Sequence, residues 1–272
     1  MGFYSLFWTI TAQLIKMCSS LYTIPLCLNH LGTERYGCWM TVLSILLFSG
    51  VLDFGYTSYI RNRLNEAYTR KKTRLFYRTL VGGIFQGLLT AVIILTLVSL
   101  ILFFDISSFF IISSDEIKQE MLTCILYIGI LSSFSISTGV IDNYFCVTTN
   151  LVNYRINESL INIFLVVCII KAISLNASMP TLAVIVFLQS SLLKLLYLCV
   201  FFLKEYSKIK KTKLYLFNDF KKSFKKSISF CLSTSSQILL LAAPNILLAK
   251  FLNLNDVGTI SPLFKIMNVP IT

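Results

Sequence analysis

The sequence predicts an all-α, polytopic membrane helix bundle with about seven transmembrane helices, and three observations carry that prediction. First, a chain of 272 residues with 56% hydrophobic and only 13% charged side chains, at a mean hydropathy of +0.77, has too little polar surface to coat one water-soluble core. Second, mostly apolar runs of about 20 residues, the length that crosses a hydrocarbon layer of about 30 Å, recur along nearly the whole chain. Third, the basic residues cluster in alternate connections between those runs. Barrel strands would alternate polar and apolar over about 10 residues, which these runs do not, so helices are expected.

The seven expected spans are 3–28, 39–60, 80–104, 121–145, 156–175, 180–203 and 228–251. The connection after the second holds Arg61, Arg63, Arg70, Lys71, Lys72, Arg74 and Arg78 against Glu66 alone. The one after the sixth, KEYSKIKKTKLYLFNDFKKSFKK, holds nine lysines against Glu205 and Asp219. By contrast, the connection after the third carries Asp105, Asp115, Glu116 and Glu120 with only Lys118, and NASMP after the fifth is uncharged. Positive loops stay in the cytoplasm, so the amino terminus is expected inside. The net charge of +12 is thereby a topology signal, and with no recognition motif beside it nucleic acid is not an expected partner.

The start, MGFYSLFW, has no charged leader and no small-residue cleavage site follows it, so the first span is expected to remain in the mature protein. The eight cysteines are scattered, with no CxxC pair and only His30 as a histidine. They are expected to be buried apolar thiols, and neither metal nor cofactor is called for. No G-x-x-x-x-G-K-[ST] segment is present to cradle ATP phosphates.

Side chains three or four positions apart share one helix face. On that spacing the first span carries Thr9, Gln13, Lys16, Ser20 and Thr23; the second Ser49, Asp53 and Thr57; the fourth Ser135, Thr138 and Asp142. The sixth carries Ser190, Lys194 and Tyr197, and the seventh Ser229, Ser233, Ser236 and Gln237. These stripes predict one polar cavity between helices. Single hydroxyls on such helices often only bond to neighbouring helices. Charges are harder to hide, since a lysine at mid-span costs about 2.5–3.5 kcal/mol on insertion scales. Lys16, Asp53 and Lys194 therefore stand out, either as transport groups or as members of an ion pair such as Asp53 with Arg61 or with Lys16. Gly83 and Gly87 form a GxxxG pair that predicts a close helix contact.

The run YTIPLCLNHLGTERYGCWMTVLSILLFSGVLDFGYTSYIRNRLNEA, residues 22–67, carries Pro25, an LG-x-E-x-YG-x-W pattern (Leu31, Gly32, Glu34, Tyr36, Gly37, Trp39), then Asp53, Gly55 and Arg61. It resembles the polysaccharide flippases of the Wzx type, within the superfamily that also holds multidrug and toxin extrusion proteins. A later LLAKFL-x-x-x-x-VG, Leu247 to Gly258, adds to the likeness. The resemblance implies an N-terminal six-helix lobe over 1–203, a basic cytoplasmic linker over 204–227, and the start of a second lobe over 228–272. Since such families commonly hold about twelve spans in two bundles, the chain is expected to be truncated, with Ser261 to Thr272 the opening of an eighth helix.

The function so implied is flipping of a polyprenyl-diphosphate-linked oligosaccharide, an O-antigen or similar repeat unit, across the bacterial cytoplasmic (inner) membrane. A polysaccharide polymerase and chain-length proteins are the implied partners beside membrane lipids. Lys16, Arg61, Lys194 and Gln13 are the candidate substrate contacts, because cationic side chains compensate an anionic diphosphate. Asp53 and Asp142 are the candidate ion-coupling groups, because a protonated or cation-bound carboxylate changes which side of a carrier is open. A multidrug efflux carrier would favour an acidic cavity, which Lys16 and Lys194 oppose. A membrane-embedded glycan-assembly enzyme lacks a His-Asp pair for general base work.

Overall fold

Backbone groups in hydrocarbon have no water to bond, so an apolar run must close its hydrogen bonds within itself. A computed structural model describes residues 3–104, 109–112, 114–148, 151–210 and 216–268, and among them every long element is an α-helix. In chain order these are α1 (Phe3–Leu47), α2 (Tyr56–Thr69), α3 (Thr73–Phe103), α4 (Asp115–Ser137), α5 (Gly139–Thr148), α6 (Leu151–Ser174), α7 (Met179–Lys210), α8 (Leu216–Phe251) and α9 (Leu254–Asn268). The described helices Thr73–Phe103, Asp115–Thr148 and Val152–Ser174 are long and apolar enough to cross a membrane. They match the expected spans 80–104, 121–145 and 156–175, and leave large apolar side chains such as Val92 and Phe164 exposed. Met179–Leu188 in α7 and Ile238–Phe251 in α8 are shorter apolar stretches.

The first expected span, 3–28, is helical throughout, within an α1 that bends beyond it, whereas the second takes another shape. A straight helix would hold Lys16 and Leu43 about 40 Å apart, yet they line one cavity of about 190 Å³. The chain therefore folds back on itself at Gly32, whose backbone (φ 77°, ψ 169°) leaves the helical region. The span expected over 39–60 is not one helix. After Leu47 it tightens into a 3-10 turn, Phe48–Asp53, passes through left-handed Phe54 (φ 48°) and Gly55 (φ 67°), and restarts as α2. Glycine tolerates that conformation without the clash a Cβ brings. The stretch 204–227, expected as a linker, is helical over 204–210 and 216–227, and α9 begins at Leu254, ahead of the Ser261 start that the sequence suggested.

The connections poor in basic residues meet at one end of the bundle. His30 Nε2 lies 2.9 Å from the carbonyl oxygen of Ala177, Arg35 forks onto Glu116 (2.7 Å) and Glu120 (3.0 Å), and Lys250 sits 4.0 Å from the ring centre of Phe109. Thr33 donates its hydroxyl proton to Asn255 Oδ1 at 2.8 Å. This gathering agrees with an alternation of loops between two sides.

Small residues let helix backbones approach where lipid gives no hydrophobic drive to pack. Gly37 on α1 rests on the backbone of Leu254 and Gly258, and Gly258 on α9 rests on the backbone of Thr33. The same interval, 221 residues, separates Thr33 from Leu254 and Gly37 from Gly258. The contact is thus reciprocal, the pattern of an isologous interface. Gly55 lies against the backbone of Phe230 and Cys231 on α8. Gly83 and Gly87 make the close contact expected of them: a Cβ at Gly83 would meet Val140, and one at Gly87 would lie 2.7 Å from the carbonyl oxygen of Ser137.

Candidate functional site

The surface that Gly83 and Gly87 approach is a break in a membrane-length helix. Residues 132–139 read SSFSISTG, and their hydroxyls turn back onto the preceding turn: Ser132 to Gly129 O, Ser133 to Ile130 O, Ser137 to Phe134 O and Thr138 to Phe134 O. Such back-bonding competes with backbone donors and bends helices. Here α4 ends at Ser137 and α5 begins at Gly139.

Ends of helices carry opposite partial charges, negative at the carboxyl end and positive at the amino end. Lys194 of α7 supplies the matching cation to the end of α4. Its Nζ donates to the Ser135 carbonyl oxygen at 2.9 Å and to the Ser135 hydroxyl oxygen at 2.6 Å. Asp142 lies in the first turn of α5, where an anion is favoured, and its Oδ2 is 3.6 Å from Lys194 Nζ. Both side chains are about four-fifths buried, at 20% and 18% exposure. Asp142 Oδ1 is buried and has no hydrogen-bond partner among the described residues.

Aromatic rings wall this pair. Tyr197, one turn along α7 from Lys194, stacks on Phe145 (4.5 Å between centres, 27°) and on Tyr154 (5.9 Å, 20°), and its hydroxyl oxygen accepts from Asn157 at 3.3 Å. Beyond them Arg155 pairs with Glu158 at 2.7 Å, while its Nε stays buried without a partner among the described residues.

Asp53 connects to this region through backbone. Its Oδ2 accepts from the Thr57 N–H at 2.9 Å, capping the start of α2, and the Thr57 carbonyl accepts from Asn143 Nδ2 at 3.3 Å. The capping role answers why an acid sits in an apolar run: it satisfies donors that a helix restart leaves open. Asp53 makes no ion pair among the described residues, so neither Arg61 nor Lys16 is its partner.

Among the described residues, the groups of the five stripes that can be placed lie in more than one region. Lys194 and Asp142 meet at α5, with Asp53 joined to that helix through Thr57 and Asn143, whereas Arg61 stands exposed on α2 and Lys16 and Gln13 stand exposed on the first arm of α1. Lys16 lines the cavity between the α1 arms, α6 and α7, which none of Asp53, Asp142 and Lys194 touches. Many of the hydroxyls are spent on their own helices, as Thr23 on Ser20 O and Thr138 on Phe134 O show. The side chains of Ser49, Ser190, Ser229, Ser233 and Gln237 lie outside the described residues. Ser135, Asn143, Arg155 and Tyr154 belong to the region although the sequence stripes did not single out the last three. The cue for the helix break was the hydroxyl run ending in Gly139.

A helical membrane-type bundle with a charged pair at a broken helix is the class these features define. No family model, no curated protein and no solved structure matches the chain.

Proposed function

We propose that the chain is a transporter that passes a polyprenyl-diphosphate-linked oligosaccharide across the bacterial cytoplasmic membrane by alternating access, driven by a coupling ion. The observation that carries this reading is the Lys194–Asp142 pair seated at the α4–α5 break. Discontinuous helices with ionisable groups at their ends are a recurrent way to place ion and substrate sites at membrane depth. Asp142 takes up a proton or cation on its unpartnered oxygen, weakening its hold on Lys194, and the two helix halves then reorient about Gly139. The resemblance of residues 22–67 to polysaccharide flippases supplies the substrate class.

In a strain whose own flippase is deleted, this chain is expected to restore surface polysaccharide, and Asp142→Asn is expected to abolish the restoration while leaving membrane insertion intact. Full export by Asp142→Asn would remove that residue from the coupling role. Efflux of a cationic dye without glycan export would favour the multidrug reading instead. The absence of any carboxylate among the residues lining the Lys16 cavity weighs against that alternative.

A further inference from the structure

The turn between α2 and α3 concentrates positive charge at one level of the bundle. From residue 70 to residue 78 the chain carries Arg70, Lys71, Lys72, Arg74 and Arg78 and no acid. Glu66, near the end of α2, is already shared by Arg63 at 3.0 Å and Arg70 at 3.3 Å. Lys71, Lys72 and Arg74 are exposed, and none of them has an ion pair or a side-chain hydrogen bond among the described residues. The helix they lead into, α3, holds 31 residues, about 46 Å of helix, against about 40–45 Å for a bilayer with its headgroup layers. A crossing by α3 therefore brings its first turn, and Arg74 with it, to headgroup level.

The turn is firmly built. α2 buries Tyr56, Ile60, Leu64 and Ala67, which cluster with Phe76 and Leu80 of α3, and the rings of Tyr68 and Phe76 lie 6.1 Å apart. The Lys72 N–H donates to the Ala67 carbonyl oxygen at 2.9 Å and the Lys71 N–H to that of Tyr68 at 3.0 Å, the paired bonds that close a helix through a left-handed residue. That residue is Lys71, at φ 54°, where glycine is the usual choice. Topology alone asks for positive loops without regard to where in the loop the charges stand. The carboxyl end of α2 favours the cations at Arg70 and Lys71. It does not account for Lys72 and Arg74, which stand at the positive end of α3, whose N-cap makes no side-chain bond and whose first turn holds no acid. Cations set against that field call for an anion from outside the chain.

We infer that the α2–α3 turn is a docking surface for the headgroups of anionic phospholipids in the leaflet that the basic connections face, with Lys71, Lys72 and Arg74 as the phosphate contacts. Basic clusters immediately beside a membrane helix are drawn to anionic lipid. Arg74 offers a forked donor and the two lysines point charges. Tyr68, in the last turn of α2 and 51% exposed, has the amphipathic ring that settles at headgroup level. The occupant is a lipid of the bilayer in which the chain sits, because that is the anion present at this depth. The inference needs the membrane bundle and not the transport reading.

The full chain in nanodiscs of phosphatidylcholine, with and without phosphatidylglycerol, tests the surface first without any substitution. Hydrogen exchange of the backbone amides at 73–75, which open α3, is expected to slow when phosphatidylglycerol is present and to recover at high salt. Native mass spectrometry of the full chain titrated with phosphatidylglycerol then gives the affinity. Each of Lys71→Gln, Lys72→Gln and Arg74→Gln is expected to weaken it about five-fold, and the triple variant by more. Lys71→Arg and Lys72→Arg are expected to hold it, which separates loss of charge from loss of fold. Phosphatidylcholine is expected to bind the wild-type chain and the triple variant alike. Equal affinity of the wild-type chain for the two lipids, or unchanged phosphatidylglycerol affinity in the triple variant, overturns the site. So does exchange slowed by an oligonucleotide and not by phosphatidylglycerol, which would assign the surface to a polyanion in water.

Discussion

Lys194 is held by Ser135 through two atoms, the carbonyl oxygen at 2.9 Å and the hydroxyl oxygen at 2.6 Å. One lysine on α7 therefore finishes the end of α4 on another helix, and Asp142 is the opposite charge that faces it there at 3.6 Å.

Removing one member of that pair strands the other. Lys194→Met is expected to lower stability by about 3–5 kcal/mol, because a buried carboxylate loses its counter-ion. The double variant Lys194→Met with Asp142→Asn is expected to regain much of the loss, leaving a coupling of about 0.5–3 kcal/mol. Denaturation midpoints of the four proteins in one detergent measure it, and strictly additive losses would show the two residues to be independent.

Glycine substitutions separate close approach from open space. Gly87→Ala is expected to cost about 1–3 kcal/mol, since its Cβ would press on the Ser137 backbone. Gly139→Ala meets nothing within 4 Å and adopts no positive φ, so it is expected to be neutral or to stabilise by about 0.4–1 kcal/mol. Thermal unfolding of the two variants side by side checks the ordering.

Asp53 is tested by what replaces it. Asparagine keeps a cap oxygen and is expected to hold stability within about 0.5 kcal/mol, whereas Asp53→Ala is expected to cost about 1 kcal/mol. An Asp53→Asn protein of normal stability that no longer exports glycan would assign Asp53 to ion coupling beyond its cap.

The two arms of the Arg35 fork differ in exposure. Glu116 is 73% exposed and Glu120 18%, so Glu120→Gln is expected to destabilise more than Glu116→Gln, whose effect is expected within about 1 kcal/mol. Raising salt is expected to narrow the difference, and melting curves at low and high ionic strength read it.

Much of this was legible in the residues. Apolar runs announced the three membrane-length helices, Gly83 and Gly87 announced their contact, and helix spacing drew attention to Ser135, Asp142 and Lys194. That these three would bond to one another was not legible, because periodicity places a residue on a face without saying what stands opposite. Asp53 was read as a charge to be hidden, although Asp-Phe-Gly before a helix is also a capping signal. The likeness between LCLNHLGTERYG and LLAKFLNLNDVG, which share leucine at the first and sixth positions and glycine at the last, was visible only faintly. Its meaning came from seeing the two glycines touch.

With two backbones meeting at Gly37 and Gly258, the α1–α9 crossing has no compressible side chain to cushion it. A Cβ added at either glycine could be taken in only by driving the two backbones apart.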